Sequence, residues 1–322
     1  MWWLPAFRRT RVEGVSGETL ELHCVVFCYT FFNMTGVSRR TMLKAVASEA
    51  AAVTLASSLS LAKDEHPIAR KGRIRQSVSR WCYKEIPLDD LCAKGAQMGL
   101  KAIDLLNEDE WEVPARYGLI CSMGYGGGGE IARAMNRLEN HAAIEEAFRK
   151  SIPHAAKSHV ANVITFSGNR AGMSDEEGAK NSIIGLNRVK KIAEDHGVTI
   201  CLELLNSKID HNDYMADHTA WGVRVMREVN SPRVKLLYDA YHMQIMEGDL
   251  IRTITENIEW IGHFHTGGVP GRHELDNTQE VRWDGLMRAI AATIFAGYVA
   301  HEFIPTRDPL TSLREAVDLC DV

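Results

Sequence analysis

The chain has 322 residues, 45% hydrophobic and 25% charged, with a formal net charge of −5. That composition is globular and long enough to bury a sizeable core. With a pI near 6.2, it argues against a general nucleic-acid or membrane-surface binder.

Residues 1–33, which open with Trp2, Trp3, Phe7, Arg8 and Arg9, follow no clean period, and Met34 offers an alternative start. Ser38-Arg39-Arg40-Thr41-Met42-Leu43-Lys44 then leads into an Ala-rich apolar segment, 45–62. This resembles a twin-arginine export signal, with Met42 where that pattern usually has Phe. Ser60-Leu61-Ala62 supplies the small residues a signal peptidase requires. The expectation is export to the periplasm by that route, with no stable membrane span after processing; a cytoplasmic protein is the alternative. The charged, Pro-containing stretch 63–71 reads as a linker, so residues 1–72 form an extension and 73–322 the folded domain.

From Arg73 the pattern becomes regular. Alternation predicts strands over 74–81, 101–106, 119–125, 161–166, 198–205, 234–238, 261–265 and 298–304. Helical periodicity fills the intervals: 87–98, 108–117, 130–159, 174–196, 214–229, 249–260, 283–296 and 309–319. Ser174 reads as an N-cap, with Asp175, Glu176 and Glu177 in the following turn. The glycines at 126–129 read as a flexible active-site loop, because they lack the Lys-Ser/Thr of a phosphate loop. Eight strand-then-helix units predict a closed parallel (β/α)8 TIM barrel as a single domain. Seven cysteines are scattered, and Cys82, Cys121 and Cys201 read as buried free thiols.

The second half carries the chemistry. Four consecutive strand-like runs bring an acid or imidazole to the same end: Glu203 with Asn206, Asp239 followed by His242 and Gln244, His263 with His265, and Glu302. A buried carboxylate without a partner costs several kcal/mol or takes up a proton. Four such positions on neighbouring strands therefore predict a shared metal ion held by Glu203, Asp239, His265 and Glu302. The mostly oxygen donor set suits Mn²⁺, Mg²⁺ or Co²⁺. His242 lies past its strand and is expected to face a ligand. Arg272 suits a substrate carboxylate or hydroxyl, and Trp81, at the end of the first strand, could wall off water.

Cys201-Leu-Glu-Leu-Leu-Asn206, Leu237-Tyr-Asp-Ala-Tyr-His-Met-Gln244, Gly262–Glu274 and His301-Glu-Phe-Ile-Pro305 resemble the hydroxypyruvate isomerase branch of the xylose isomerase-like barrels. The resemblance covers roughly Arg73 to the C-terminus. It implies one divalent ion on Glu203, Asp239, His265 and Glu302, with Glu203 and Glu302 also serving as acid and base, and His242 and Arg272 contacting substrate. One position departs: hydroxypyruvate isomerases usually carry Gln at the third ligand position, where this chain has His265, as ketose epimerases do. The function expected is a metal-dependent isomerase of an α-hydroxy carbonyl compound, of the hydroxypyruvate/tartronate semialdehyde type or a small sugar, acting through an enediolate. The alternatives are a ketose 3-epimerase, an endonuclease-like metal-dependent hydrolase and a non-catalytic exported sugar-binding barrel. The partner expected is a small hydroxy-carbonyl or sugar molecule and not nucleic acid; a homo-oligomer stays open.

Overall fold

The structure, a computed structural model, describes residues 70–322. The export signal, most of the linker and Cys24 and Cys28 lie outside the described residues. Arg70 and Lys71, the last residues of the expected linker, are tied to the barrel: Arg70 donates to the Met98 carbonyl (2.8 Å) and Lys71 N–H to Asp321 (3.0 Å).

Eight strands run β1 (Arg75–Ser79), β2 (Ala102–Leu106), β3 (Ile120–Gly128), β4 (Asn162–Thr165), β5 (Thr199–Leu204), β6 (Val234–Asp239), β7 (Ile261–Thr266) and β8 (Tyr298–His301). All pair in parallel in chain order, and β8 closes on β1 through Val78↔His301. The helices are α1 (Leu88–Met98), α2 (His141–Lys157), α3 (Asp175–His196), α4 (Thr219–Val229), α5 (Ala240–Met246), α6 (Leu250–Asn257), α7 (Trp283–Ala291) and α8 (Pro309–Leu319). The Ser174 cap is present, its hydroxyl accepting from Glu177 N–H at 3.2 Å. No helix among the described residues is long and apolar enough to cross a membrane.

The structure corrects several expectations. No α-helix joins β2 to β3; residues 113–117 form a single 3-10 turn that starts with a Val-Pro pair, and Pro restricts the residue before it. The expected long helix 130–159 begins only at His141, and that over 214–229 only at Thr219. A short helix, α5, follows β6 directly, capped by the Asp239 carboxylate. Cys121 and Cys201 are buried free thiols as expected, whereas Cys82 is only partly buried.

The glycine run is not a loop. Gly126, Gly127 and Gly128 belong to β3, which these residues bring against β4 and α2. A Cβ on Gly128 would overlap the Ile164 carbonyl oxygen and lie 2.9 Å from the Phe148 ring. Glycine is required here because backbone meets backbone, and not because the segment must flex.

Burial of polar groups also ties the barrel to its closing helix. His301 is fully buried between Gln76 Oε1 (2.8 Å) and Thr266 Oγ1 (3.2 Å), and Gln76 in turn donates to the Val317 carbonyl of α8 at 3.1 Å. Burial pushes the His301 pKa down to about 3, so the ring is neutral, donating to Gln76 and accepting from Thr266.

Substituting Gly128→Ala should cost about 2–3 kcal/mol by overpacking against fixed backbone, read as a lowered denaturation midpoint. A loss no larger than that of Gly118→Ala would show that β3 has room to shift, because Gly118 has no atom within 4 Å of its Cβ position and its substitution carries only the cost of a positive φ.

Candidate metal centre and active site

The parallel barrel sends all C-terminal strand ends to one face, where sites on this architecture form. Glu203 is the fifth residue of β5, Asp239 ends β6, His265 is the fifth residue of β7, and Glu302 directly follows β8. Asp239 and His265 sit opposite each other in register. One donor atom from each of the four side chains lies within 4.8 Å of the others, and all four residues are buried. The sequence-predicted quartet is therefore one spatial cluster.

The tautomer of His265 shows what the cluster can hold. Its Nε2 lies 2.9 Å from Asp104 Oδ2, so the Nε2–H donates to that carboxylate. In a neutral ring this leaves Nδ1 as a bare lone pair. Nδ1 has no hydrogen-bond partner, yet it faces Glu302 Oε2 at 2.5 Å and Glu203 Oε1 at 3.3 Å. Lone pairs this close repel unless a cation, either a proton or a metal ion, lies between them. Three carboxylates here face one guanidinium, that of Arg272, which leaves two negative charges for a divalent ion to offset. The donor set and the orphaned nitrogen both fit such an ion.

Burial shapes the acidities. It pushes Glu203 up, and the charges of Glu302 and Asp239 add to that rise. Burial would also raise Glu302, but Arg272, and His265 while its ring is protonated, outweigh it and hold that carboxyl low; the carboxylates in turn raise His265 above its ordinary value. Two glutamates a few ångströms apart thus have opposite tendencies in the metal-free cluster.

Trp81 is not at a strand end. It lies in the 3-10 turn 80–83 that follows β1, and its indole N–H donates to Glu302 Oε1 at 2.5 Å. Arg272 reaches in from the β7–α7 loop. Its guanidinium bonds Asp239 Oδ2 (2.7 Å), contacts Glu302 Oε2 and lies 2.6 Å from His242 Nε2. His242 is fully buried in α5, and burial pushes its pKa down. Gln244, by contrast, points away from the site and bonds Glu280 at 3.2 Å.

Several residues that were given no role from the sequence complete the arrangement, Asn206 and His263 having been named only for their place near strand ends. Asp104 orients His265, and is itself held by Ser122 Oγ at 2.5 Å and faced by His263 Nε2 at 3.1 Å. A carboxylate behind a ligating imidazole fixes ring orientation and raises basicity. The signal was present as the acid within the apolar run Ala-Ile-Asp-Leu-Leu. Asn206 lies 2.6 Å from His242 Nδ1, while its amide oxygen accepts from Ile209 and Asp210 N–H. Tyr241 donates to Asp210 (2.9 Å), and its ring lies 4.9 Å from the Arg272 guanidinium.

Glu274 locks the loop bearing Arg272 to the segment after Glu302. It accepts from Thr306 N–H (2.8 Å), Thr306 Oγ1 (2.9 Å), Ser312 Oγ (2.8 Å) and Arg307 N–H (3.2 Å). Burial opposes ionisation, but these donors outweigh it and bring the carboxyl to about 2. A depressed carboxyl pKa adds stability above the unfolded value, near 4.5, and that stability is lost as pH falls towards 2. Glu274→Gln should therefore cost about 1–3 kcal/mol at pH 7. The gap to wild type should shrink by about 2 kcal/mol at pH 3, as measured by denaturant unfolding at both pH values.

The family model described as "Xylose isomerase-like TIM barrel" matches residues 115–321. The chain is 32% identical over 113 residues to 2-oxo-tetronate isomerase of Cupriavidus necator, covering 35% of this chain and 43% of that protein. It is 33% identical over 114 residues to hydroxypyruvate isomerase of Escherichia coli, covering 34% and 44%. These matches span less than half the length of either relative. Among solved structures, an AP endonuclease, family 2, from Brucella melitensis superposes with a TM-score of 0.66 at 20% identity, over 74% of this chain and 97% of that one; this likeness concerns the fold alone. With the matched region exceeding half of the chain, this chain belongs to the xylose isomerase-like TIM barrel family.

Proposed function

We propose that this protein is a divalent-metal-dependent isomerase that moves a proton between neighbouring carbons of an α-hydroxy carbonyl compound. The observation that carries this reading is the buried cluster in which Glu203 and Glu302 flank Nδ1 of His265, which has no hydrogen-bond partner. Isomerase relatives support it. Glu203, Asp239, His265 and Glu302 would hold Mn²⁺, Mg²⁺ or Co²⁺. Such an ion, when bound, supplies Lewis-acid stabilisation of the charge developing on the substrate oxygens.

The side chains supply the rest. One of the two glutamates takes the proton from carbon and the other, or the same one, returns it to the neighbouring position. Arg272 and His242 line the same cavity as both glutamates and orient the substrate's oxygens through charged and neutral hydrogen bonds. Trp81, held against Glu302, covers that carboxylate on the solvent side and limits water access.

A second reading is a ketose 3-epimerase, favoured by His265 at the position where the resembled isomerases usually carry Gln. It uses the same groups, but the proton returns to the opposite face of one carbon. Product analysis by NMR separates the two, an aldehyde isomer from a C3 epimer.

Glu302→Gln keeps an oxygen for the metal but removes a proton acceptor. It should lower kcat by a factor on the order of 10²–10⁴ while elemental analysis still finds metal. Glu203→Gln should behave alike. Wild-type carbon–hydrogen exchange by Glu302→Gln at full metal occupancy would show that another group is the base.

His242→Ala should retain metal and raise KM more than it lowers kcat, the sign of lost substrate orientation. If kcat alone falls, His242 takes part in proton transfer instead.

A further inference from the structure

The cavity above the metal cluster holds about 510 Å³, a volume suited to a drug-sized molecule more than to a three-carbon acid. Its polar groups are unevenly placed. Glu203, Glu302, Arg272 and His242 gather at the deep pole. The lining also includes Leu105, Phe166 and Leu205, with Ile131, Ile209 and Ile304 exposed at the mouth, and the polar side chains of Tyr125, His211 and Tyr241 interrupt this apolar surface. The mouth residues are exposed, Ile209 at 71% and Ile304 at 43%. Asp210 also lines the cavity, and its Oδ2 already accepts from Asn206 and Tyr241.

Leu105 is held in the cavity against its backbone preference. Strand alternation would point Leu105 away from the barrel interior that Asp104 occupies. Instead β2 breaks register with β3 at Asp104, and Leu105 adopts φ +54°, a region leucine rarely enters. Both side chains then serve the site: Asp104 bonds His265 and Leu105 lines the cavity. Strain of this kind persists where surrounding structure enforces it.

We propose that the site selects an α-hydroxy carbonyl substrate whose far end is apolar, an alkyl or deoxy chain, over a polyol of equal length. Hydroxyl groups placed against Leu105, Phe166 and Leu205 would lose water without gaining partners, a penalty paid at each buried group. Methylene groups there would gain burial instead. This rests on the isomerase reading for the reaction at the polar pole, but not for binding along the wall.

The test compares compounds with one shared reacting head: 1,3-dihydroxy-2-butanone, its hexanone and octanone homologues, and the polyols L-erythrulose and D-fructose. Deuterium uptake at carbon from D2O is followed by mass spectrometry with the Mn²⁺-supplemented full chain, and Kd by calorimetry. The expected result is a kcat/KM that rises about threefold per methylene and favours the dihydroxyhexanone over D-fructose by at least tenfold. Equal or better turnover of D-fructose overturns the proposal while leaving the isomerase reading intact. If no compound exchanges, the isomerase reading fails and Kd decides: tighter alkyl binding supports the apolar subsite, and equal or tighter polyol binding overturns it. Leu105→Asn suits the left-handed backbone and should fold, and Ile304→Gln changes only the exposed mouth. Each should cut the hexanone-to-fructose ratio several-fold; unchanged ratios in both variants overturn the proposal.

Discussion

Three carboxylates buried within a few ångströms of one another cannot remain ionised in a protein interior unless positive charge is supplied. That constraint organises the C-terminal face of this barrel. Arg272 brings one positive charge from outside the strand ring. The tautomer of His265, set by Asp104 behind it, leaves a second gap that a proton or a divalent ion must fill. The cluster is thus costly to the fold and useful to chemistry for the same reason, since charge that is poorly offset at rest is available to a cation and a substrate.

The surrounding structure is arranged to hold that charge still. Asp104, Ser122 and His263 fix the ring from the barrel interior. Asp239 spends one oxygen on the N-terminus of α5 and presents the other to Arg272. Glu274 joins the two loops that carry Arg272 and follow Glu302, so their relative position depends on one buried carboxylate with four donors. Arg272 itself sits at φ +57°, and together with Leu105 it marks where backbone preference yields to placement of a side chain, at a cost of roughly 1–2 kcal/mol each.

The two poles of the cavity follow different rules. At the deep pole every group is charged or hydrogen-bonded, and precision comes from directional contacts. Along the outer wall most side chains are aliphatic or aromatic, and discrimination there acts through what a ligand must desolvate. A barrel whose strands are fixed by packing can vary this outer wall through its loops without disturbing the deep pole.

The eight-unit barrel and the four strand-end residues were legible in the sequence because both are local patterns. Alternating apolar runs specify strands, and an acid or imidazole placed at the same end of four successive runs can converge only if neighbours in sequence are neighbours in the ring. The Ser174 cap was legible for the same reason. What the sequence left undecided depends on approach between distant segments. The glycines at 126–129 look like a loop until α2 and β4 close on them. Trp81 looks like a rim residue until its turn carries it to Glu302, 221 positions away. Asp104 is one acid in an apolar strand, and its partnership with His265 spans 161 positions. Leu105 faces the cavity only because a register break turns it there. Such contacts are decided by how strands and loops pack around a closed ring, and no local period encodes that.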